Sequence, residues 1–215
     1  PLAWTVFEVG RLLRLYPLLN AYYDAGCLYR YDAVHVGFVV DAGKGLQVPV
    51  IHDVDRTELA DVARRMQDLL LAYEDGSMRA EDLTNGTFTI TDLSSEGAVF
   101  IHPLINERQS AILGVAAARQ PPGDPGETFD LILSFDHRVA EGRVDAAQRS
   151  LHEGRCDPVE GPRVQREVEV LRVPVAAGVT GEEGLDQARL VALREQDLRA
   201  LRGLDEPRHP AWVGL

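Results

Sequence analysis

The chain has 215 residues, enough for one domain or one domain with an appendage. Its 45% hydrophobic and 26% charged residues are those of an ordinary globular chain, and no apolar run approaches the roughly 18 residues of a membrane span. The net charge of -12, from 34 acidic and 22 basic residues, disfavours nucleic acid and anionic membrane as partners, since both are bound mainly by neutralising their charge; a small anionic ligand needs only a few local cations or helix N-termini.

No basic segment followed by an apolar stretch opens the chain, so a cytoplasmic protein is expected. Cys27 and Cys156 stand far apart without a CxxC pattern and are expected to be reduced thiols. In chain order, Val6 to Leu19 carries apolar residues at helical spacing and should end near Pro17. Short extended segments are expected at Cys27–Tyr31, Val34–Val40 and Leu46–Ile51, the second nearly continuous in apolar residues and suited to a buried strand. Thr57 to Glu74 returns to helical spacing through Leu59, Val62, Ala63, Met66, Leu69 and Leu70, with Thr57 as the candidate N-cap. A short helix should begin near Arg79. Strands are expected at Thr87–Leu93, Ser110–Ala117 and Phe129–Phe135, the last leading straight into a polar elbow, Asp136–Gly142, and then a helix over Val144–Leu151. Beyond about residue 155 the character changes, with a strand expected at Val168–Val175 and an amphipathic helix at Leu185–Leu201. The pattern is that of an α/β protein with a mixed sheet.

The elbow reads Phe-Asp-His-Arg-Val-Ala-Glu-Gly over residues 135 to 142. It resembles the Asp-His-Arg-x-x-Asp-Gly signature of the 2-oxoacid dehydrogenase dihydrolipoyl acyltransferases, relatives of chloramphenicol acetyltransferase. Gly86-Thr-Phe-Thr-Ile-Thr-Asp-Leu93 is similar to that family's Gly-Thr-Phe-Thr-Ile-Ser-x-Leu strand. Pro103-Leu-Ile-Asn106, Gln109-Ser-Ala-Ile-Leu-Gly114 and Gly45-Leu-Gln-Val-Pro-Val50 match further family stretches in the right order. The likeness covers roughly residues 1 to 150 and implies a chloramphenicol-acetyltransferase-like fold, a mixed β-sheet flanked by helices.

The resemblance implies transfer of an acyl group between coenzyme A and the thiol of a dihydrolipoyl carrier, with no metal. A thiol of pKa about 8.5 is a weak nucleophile at neutral pH, and a nearby imidazole is a fitting base for it. On this reading His137 takes the thiol proton, and a hydroxyl, usually serine and here Thr91, stabilises the tetrahedral oxyanion. Glu141 stands where the family most often has Asp. Asp136 and Arg138 are expected to brace the loop, and Gly142 to permit the turn into the next helix. Alone, His137 would read as a structural histidine and Thr91 as a β-branched strand residue. His35, His52, His102, His152 and His209 show no ligand spacing and are expected to be structural or solvated, and Glu74–Asp75 and Glu182–Glu183 to be exposed polar faces.

By the same resemblance, residues 1–154 are expected to form the catalytic domain without the segment that in the family precedes the first helix, and 155–215 an atypical strand–helix extension that completes the same domain. Family precedent implies a homotrimer with the active site between subunits, a possible larger core, and a lipoyl or other carrier arriving in trans. Two alternatives stand beside it: a non-catalytic assembly module of a multienzyme complex, and an acyltransferase recruited to another carrier or acceptor.

Overall fold

The computed structural model describes residues 2–120 and 128–140, and the backbone of 166–174. Helix α1 (Leu2–Leu15) starts four residues earlier than the apolar spacing suggests, because Leu2 and Ala3 also pack against the core that buries Val6, Val9 and Leu13. It stops before Pro17, whose ring suits the 3-10 turn Pro17–Leu19 that follows. Helix α2 (Leu59–Asp75) buries Val62, Met66, Leu69 and Tyr73, four residues spaced for one face. Its N-cap is Glu58 rather than Thr57: the Thr57 hydroxyl donates instead to the Asp53 carbonyl and closes the preceding turn. Gly76, at φ 69°, ends α2 in the left-handed conformation that glycine adopts without strain, its N–H donating to Tyr73 O while Ser77 N–H reaches Ala72 O.

Strands β1 (Ala21–Asp24) and β2 (Cys27–Arg30) make a two-stranded antiparallel hairpin. β1 was not foreseen, although Ala25 and Gly26 both take positive φ, the twist that a two-residue hairpin turn requires. Cys27 is disulfide-bonded, which corrects the expectation of a free thiol; separation along the chain says nothing of proximity in space.

The main sheet has six strands: β3 (Val36–Phe38), β4 (Val50–Ile51), β5 (Phe88–Asp92), β6 (Ala111–Val115), β7 (Thr128–Asp136) and β8 (Arg166–Pro174). Their order is β4-β3-β5-β6-β7-β8, with β3, β5 and β6 parallel and the remaining pairings antiparallel. The α/β class with a mixed sheet is therefore correct. The stretch expected as a strand over Leu46–Ile51 contributes only β4, plus a lone bridge between Val40 and Gln47. The short helix expected near Arg79 is a 3-10 turn, Ala80–Leu83. β8 pairs with β7 along its full length, close to the strand expected at Val168–Val175. The helices expected at Val144–Leu151 and Leu185–Leu201 lie outside the described residues.

Alternation along the strands gives the sheet two unlike faces. Val36, Phe38, Phe88, Ile90, Phe129 and Phe135 face α1 and α2 and form one core with their buried stripes. α1 approaches closely because position 10 is glycine: a Cβ there would meet Val54 Cγ1 at 2.5 Å. Among the described residues, both helices join this single core. The opposite face carries Thr89, Asp130, Ile132 and Ser134, all buried, and among the described residues no helix packs on it. Ile101 and Ala98, from the connection between β5 and β6, pack there with Ala116 and Ile132.

Candidate active site

β7 ends in a tight turn that carries His137. Asp136 N–H donates to the Ser110 carbonyl, and Val139 and Ala140 N–H both return to the Asp136 carbonyl. The Asp136 carboxylate accepts from Arg138 backbone N–H at 2.9 Å, from its Nε at 3.0 Å and from its Nη2 at 2.6 Å. Such charge-assisted bonds fix a loop more firmly than neutral ones, and they raise the Arg138 pKa further above its ordinary value. The Arg138 guanidinium also lies 4.6 Å from the centre of the Tyr23 ring, which clamps the elbow to the β1–β2 hairpin. The His137 ring is half-buried, packs 4.9 Å from the Phe135 ring, and keeps Nε2 away from solvent. Asp136 and Arg138 thus do brace one another around the histidine. Glu141 and Gly142 lie outside the described residues.

Thr91 sits near the end of β5, half-buried, with its side chain on the face away from the helices, since its neighbours Phe88 and Ile90 face the helical core. Phe135 lies level with Ala111, and Ala111 is one step before Ile112, the partner of Thr89. Thr91 is therefore three residues along and two strands across from Phe135, roughly 14 Å between Cα atoms by strand geometry. Because His137 packs on Phe135 and Thr91 faces the other way, one chain does not bring the two together.

Next to Thr91, a polar knot ties the following connection to β5. Asn106 Nδ2 donates to Thr89 Oγ1 at 2.8 Å, Thr89 Oγ1 donates to Gln109 Oε1 at 2.9 Å, and Gln109 Nε2 donates to the Gly86 carbonyl at 3.0 Å. Ser110 Oγ, further along the same segment, donates to Leu18 O. Arg108, at φ 57°, lies over the Tyr22 ring and donates to its hydroxyl at 2.7 Å, while Tyr31 Oη donates to the Arg108 carbonyl. The segment that follows Thr91 in the chain thus also buttresses the elbow. The sequence singled out neither this knot nor Tyr23; the alternation of Thr87, Thr89 and Thr91, three hydroxyls on one strand face, was the available signal.

Of the histidines left as structural, His35 and His52 lie ring to ring at 4.7 Å, and Asp53 backbone N–H donates to His35 Nδ1 at 3.0 Å. Burial, reinforced by His52, lowers the His35 pKa. Among the described residues no group of three or more His, Cys, Asp or Glu is placed to hold a metal ion, and no helix is long and apolar enough to cross a membrane.

Residues 2–152 match the model of the 2-oxoacid dehydrogenases acyltransferase catalytic domain. The chain is 36% identical over 143 residues to the dihydrolipoyllysine-residue acetyltransferase component of the pyruvate dehydrogenase complex of Mycobacterium tuberculosis, covering 60% of this chain and 26% of that protein. It is 34% identical over 148 residues to the dihydrolipoyllysine-residue succinyltransferase component of the 2-oxoglutarate dehydrogenase complex of Escherichia coli, covering 66% of this chain and 36% of that one. It therefore spans about a quarter to a third of the length of these relatives. The solved dihydrolipoamide acetyltransferase of Azotobacter vinelandii superposes with a TM-score of 0.60 at 33% identity, over 67% of this chain and 63% of that chain. A family model matched over most of the chain, by a sheet whose elbow and hydroxyl-bearing strand stand where the motifs place them, has one reading: the chain belongs to the family of 2-oxoacid dehydrogenase acyltransferases, as part of their catalytic domain.

Proposed function

We propose that the chain is a dihydrolipoyl acyltransferase that moves an acyl group between coenzyme A and a dihydrolipoyl carrier, with His137 as general base and Thr91 as oxyanion donor. The observation that carries this reading is the elbow: Asp136 and Arg138 lock each other and dock on Tyr23, and so hold the imidazole of His137 in one place at the end of a long strand. His137 would take the proton of the attacking thiol as it adds to the thioester carbonyl. The tetrahedral oxyanion would then accept a hydrogen bond from the Thr91 hydroxyl, and its collapse expels the second thiolate, which recovers the proton from His137. In the Azotobacter vinelandii relative, a serine, a histidine and an asparagine have been investigated for their role in the catalytic mechanism, which supports giving the chemistry to a hydroxyl and an imidazole.

His137 and Thr91 point to opposite faces of one sheet, so the pair is completed between copies, and a homotrimer with the active site at each interface follows from the family reading. The carrier comes from elsewhere than residues 1–215, in trans or from a further part of the protein, and Glu141 and Gly142 belong to the elbow's support. Residues 1–154 constitute the catalytic domain, and 155–215 complete it; the pairing of β8 with β7 supports that arrangement.

The test is transfer from acyl-coenzyme A to free dihydrolipoamide. His137→Ala should lose on the order of 10²–10⁴-fold in kcat with the fold intact. Mixing His137→Ala with Thr91→Ala chains, unfolded and refolded together, should restore part of the lost rate, because some interfaces then carry both groups. A His137→Ala protein as fast as wild type would sink the proposal.

A further inference from the structure

If Thr91 is the oxyanion donor, as proposed above, the position of the acyl group follows. A donor lies about 3 Å from the oxyanion, and the acyl substituent on the same carbon reaches only a few ångströms beyond it. What borders Thr91 on its own face of the sheet then decides which acyl groups fit.

That border has two sides. Back along β5 it is polar, but the polar groups are spent on each other: Thr89, wholly buried, accepts from Asn106 and donates to Gln109. Across the sheet it is apolar. The register partner of Thr91 on β6 is Gly114, about 4.8 Å away by strand spacing. Gly114 offers no side chain, and the connection between β5 and β6 uses the gap. A Cβ on Gly114 would lie 2.4 Å from Ile101 Cδ1 and 3.3 Å from Pro103 Cγ. Ile101, 8% exposed, is therefore seated on the sheet directly beside Thr91, backed by Ile132, the partner of Gly114 on β7. Leu93, two residues beyond Thr91, packs against the same cluster. Among the described residues, two arginines that flank the sheet are committed elsewhere: Arg119 Nη2 donates to Asp130 Oδ2 at 2.6 Å, and Arg138 is held by Asp136.

We infer that Ile101, seated in the gap left by Gly114 beside Thr91, limits the acyl group, and that the acyl class this chain transfers is a short, uncharged aliphatic one. A terminal carboxylate, as on a dicarboxylic acyl group, would be brought against Ile101, Leu93 and Ile132, and a charge in such apolar surroundings is strongly disfavoured. Each extra methylene must displace Ile101, and one methylene in a filled apolar pocket changes kcat/KM by about 10–200-fold. Similarity does not make this choice, because the relatives include acetyltransferase and succinyltransferase components at nearly equal identity.

The experiment compares kcat/KM for acetyl-, propionyl-, butyryl- and succinyl-coenzyme A with dihydrolipoamide in wild type, Ile101→Ala and Ile101→Val. Wild type should favour acetyl or propionyl and disfavour succinyl by about 100-fold. Ile101→Ala should raise the butyryl-to-acetyl ratio by about tenfold, and Ile101→Val, which removes one methyl and keeps the packing, should move it in the same direction by a few-fold. A ratio unchanged in both variants, or a wild type that prefers succinyl, overturns the inference and leaves the acyltransferase reading standing. Wild type inert with every donor overturns both.

Discussion

The two faces of the six-stranded sheet are built by different means. Toward the helices, β5, β6 and β7 present Phe88, Ile90, Ala111, Val115, Phe129 and Phe135, and α1 and α2 cover them with apolar stripes. Away from the helices the same strands present Thr89, Thr91, Gly114, Asp130, Ser134 and Asp136, and a connecting segment lies across them. The first face holds the protein together by area removed from water. The second spends hydrogen bonds and absent side chains on holding a few groups in place, and it carries the proposed oxyanion donor. Stability and chemistry are thus divided between the faces of one sheet, joined through the β7 elbow, whose His137 rests on Phe135 of the apolar face while its brace, Asp136, belongs to the polar one.

If that division holds, substitutions on the two faces should fail in different ways. The largest effect is expected on the helical side. Phe38, fully buried, loses about 3–5 kcal/mol of stability on change to Ala, a fall of roughly 10 °C in Tm, with kcat per folded molecule nearly unchanged. A thermal melt alongside an active-site-normalised rate tests this, and a variant that keeps its Tm but loses its rate breaks the division.

On the other face the signature reverses. Thr91→Ala should lower kcat by about 100-fold, equivalent to about 2.7 kcal/mol in the barrier, with a Tm within a degree or two of wild type, whereas Thr91→Ser keeps the hydroxyl and most of the rate. Equal loss in both variants would move the oxyanion role away from Thr91.

The smallest effect sharpens the contrast by acting outside the sheet. The Asp82 carboxyl is pulled down to about 2, first by its hydrogen bond from Arg79 and also by Arg65 of α2. A carboxylate whose folded pKa is depressed contributes stability above the unfolded value near 3.8 and loses it as pH falls toward 2. Asp82→Asn should therefore cost about 1 kcal/mol at neutral pH, solvent screening at the exposed guanidinium allowed for, and the gap from wild type should close between pH 4 and 2. Denaturant unfolding across that range measures it; a gap independent of pH would mean that shape, not charge, accounts for the loss.

Much of the fold is legible wherever one periodicity runs long enough. Residues 59–75 keep a helical stripe through four turns, and residues 128–136 an extended run, so both elements stand where the sequence puts them. The short pieces are less so. β1 has four residues, and its partner rather than its composition makes it a strand. Residues 46–51 have strand composition, but only Val50 and Ile51 find a ladder partner, and Val48 turns instead onto Gly37. Thr57 has the chemistry of a helix cap, but its hydroxyl is taken by the Asp53 carbonyl first. Two cysteines without a motif looked like free thiols, and the disulfide at Cys27 shows how little chain spacing says of contact.

The sequence by itself determined the family, the elbow around His137 and the hydroxyl at 91, because each is a local string whose residue types must stand next to one another. Only the tertiary structure decided that Thr91 and His137 face opposite ways, that Arg138 rests on Tyr23, and that Ile101 fills the space above Gly114. These are matters of strand register and of which segment crosses which face. A shift of one residue along a strand turns every side chain over, and no local string records where a distant segment will come to lie.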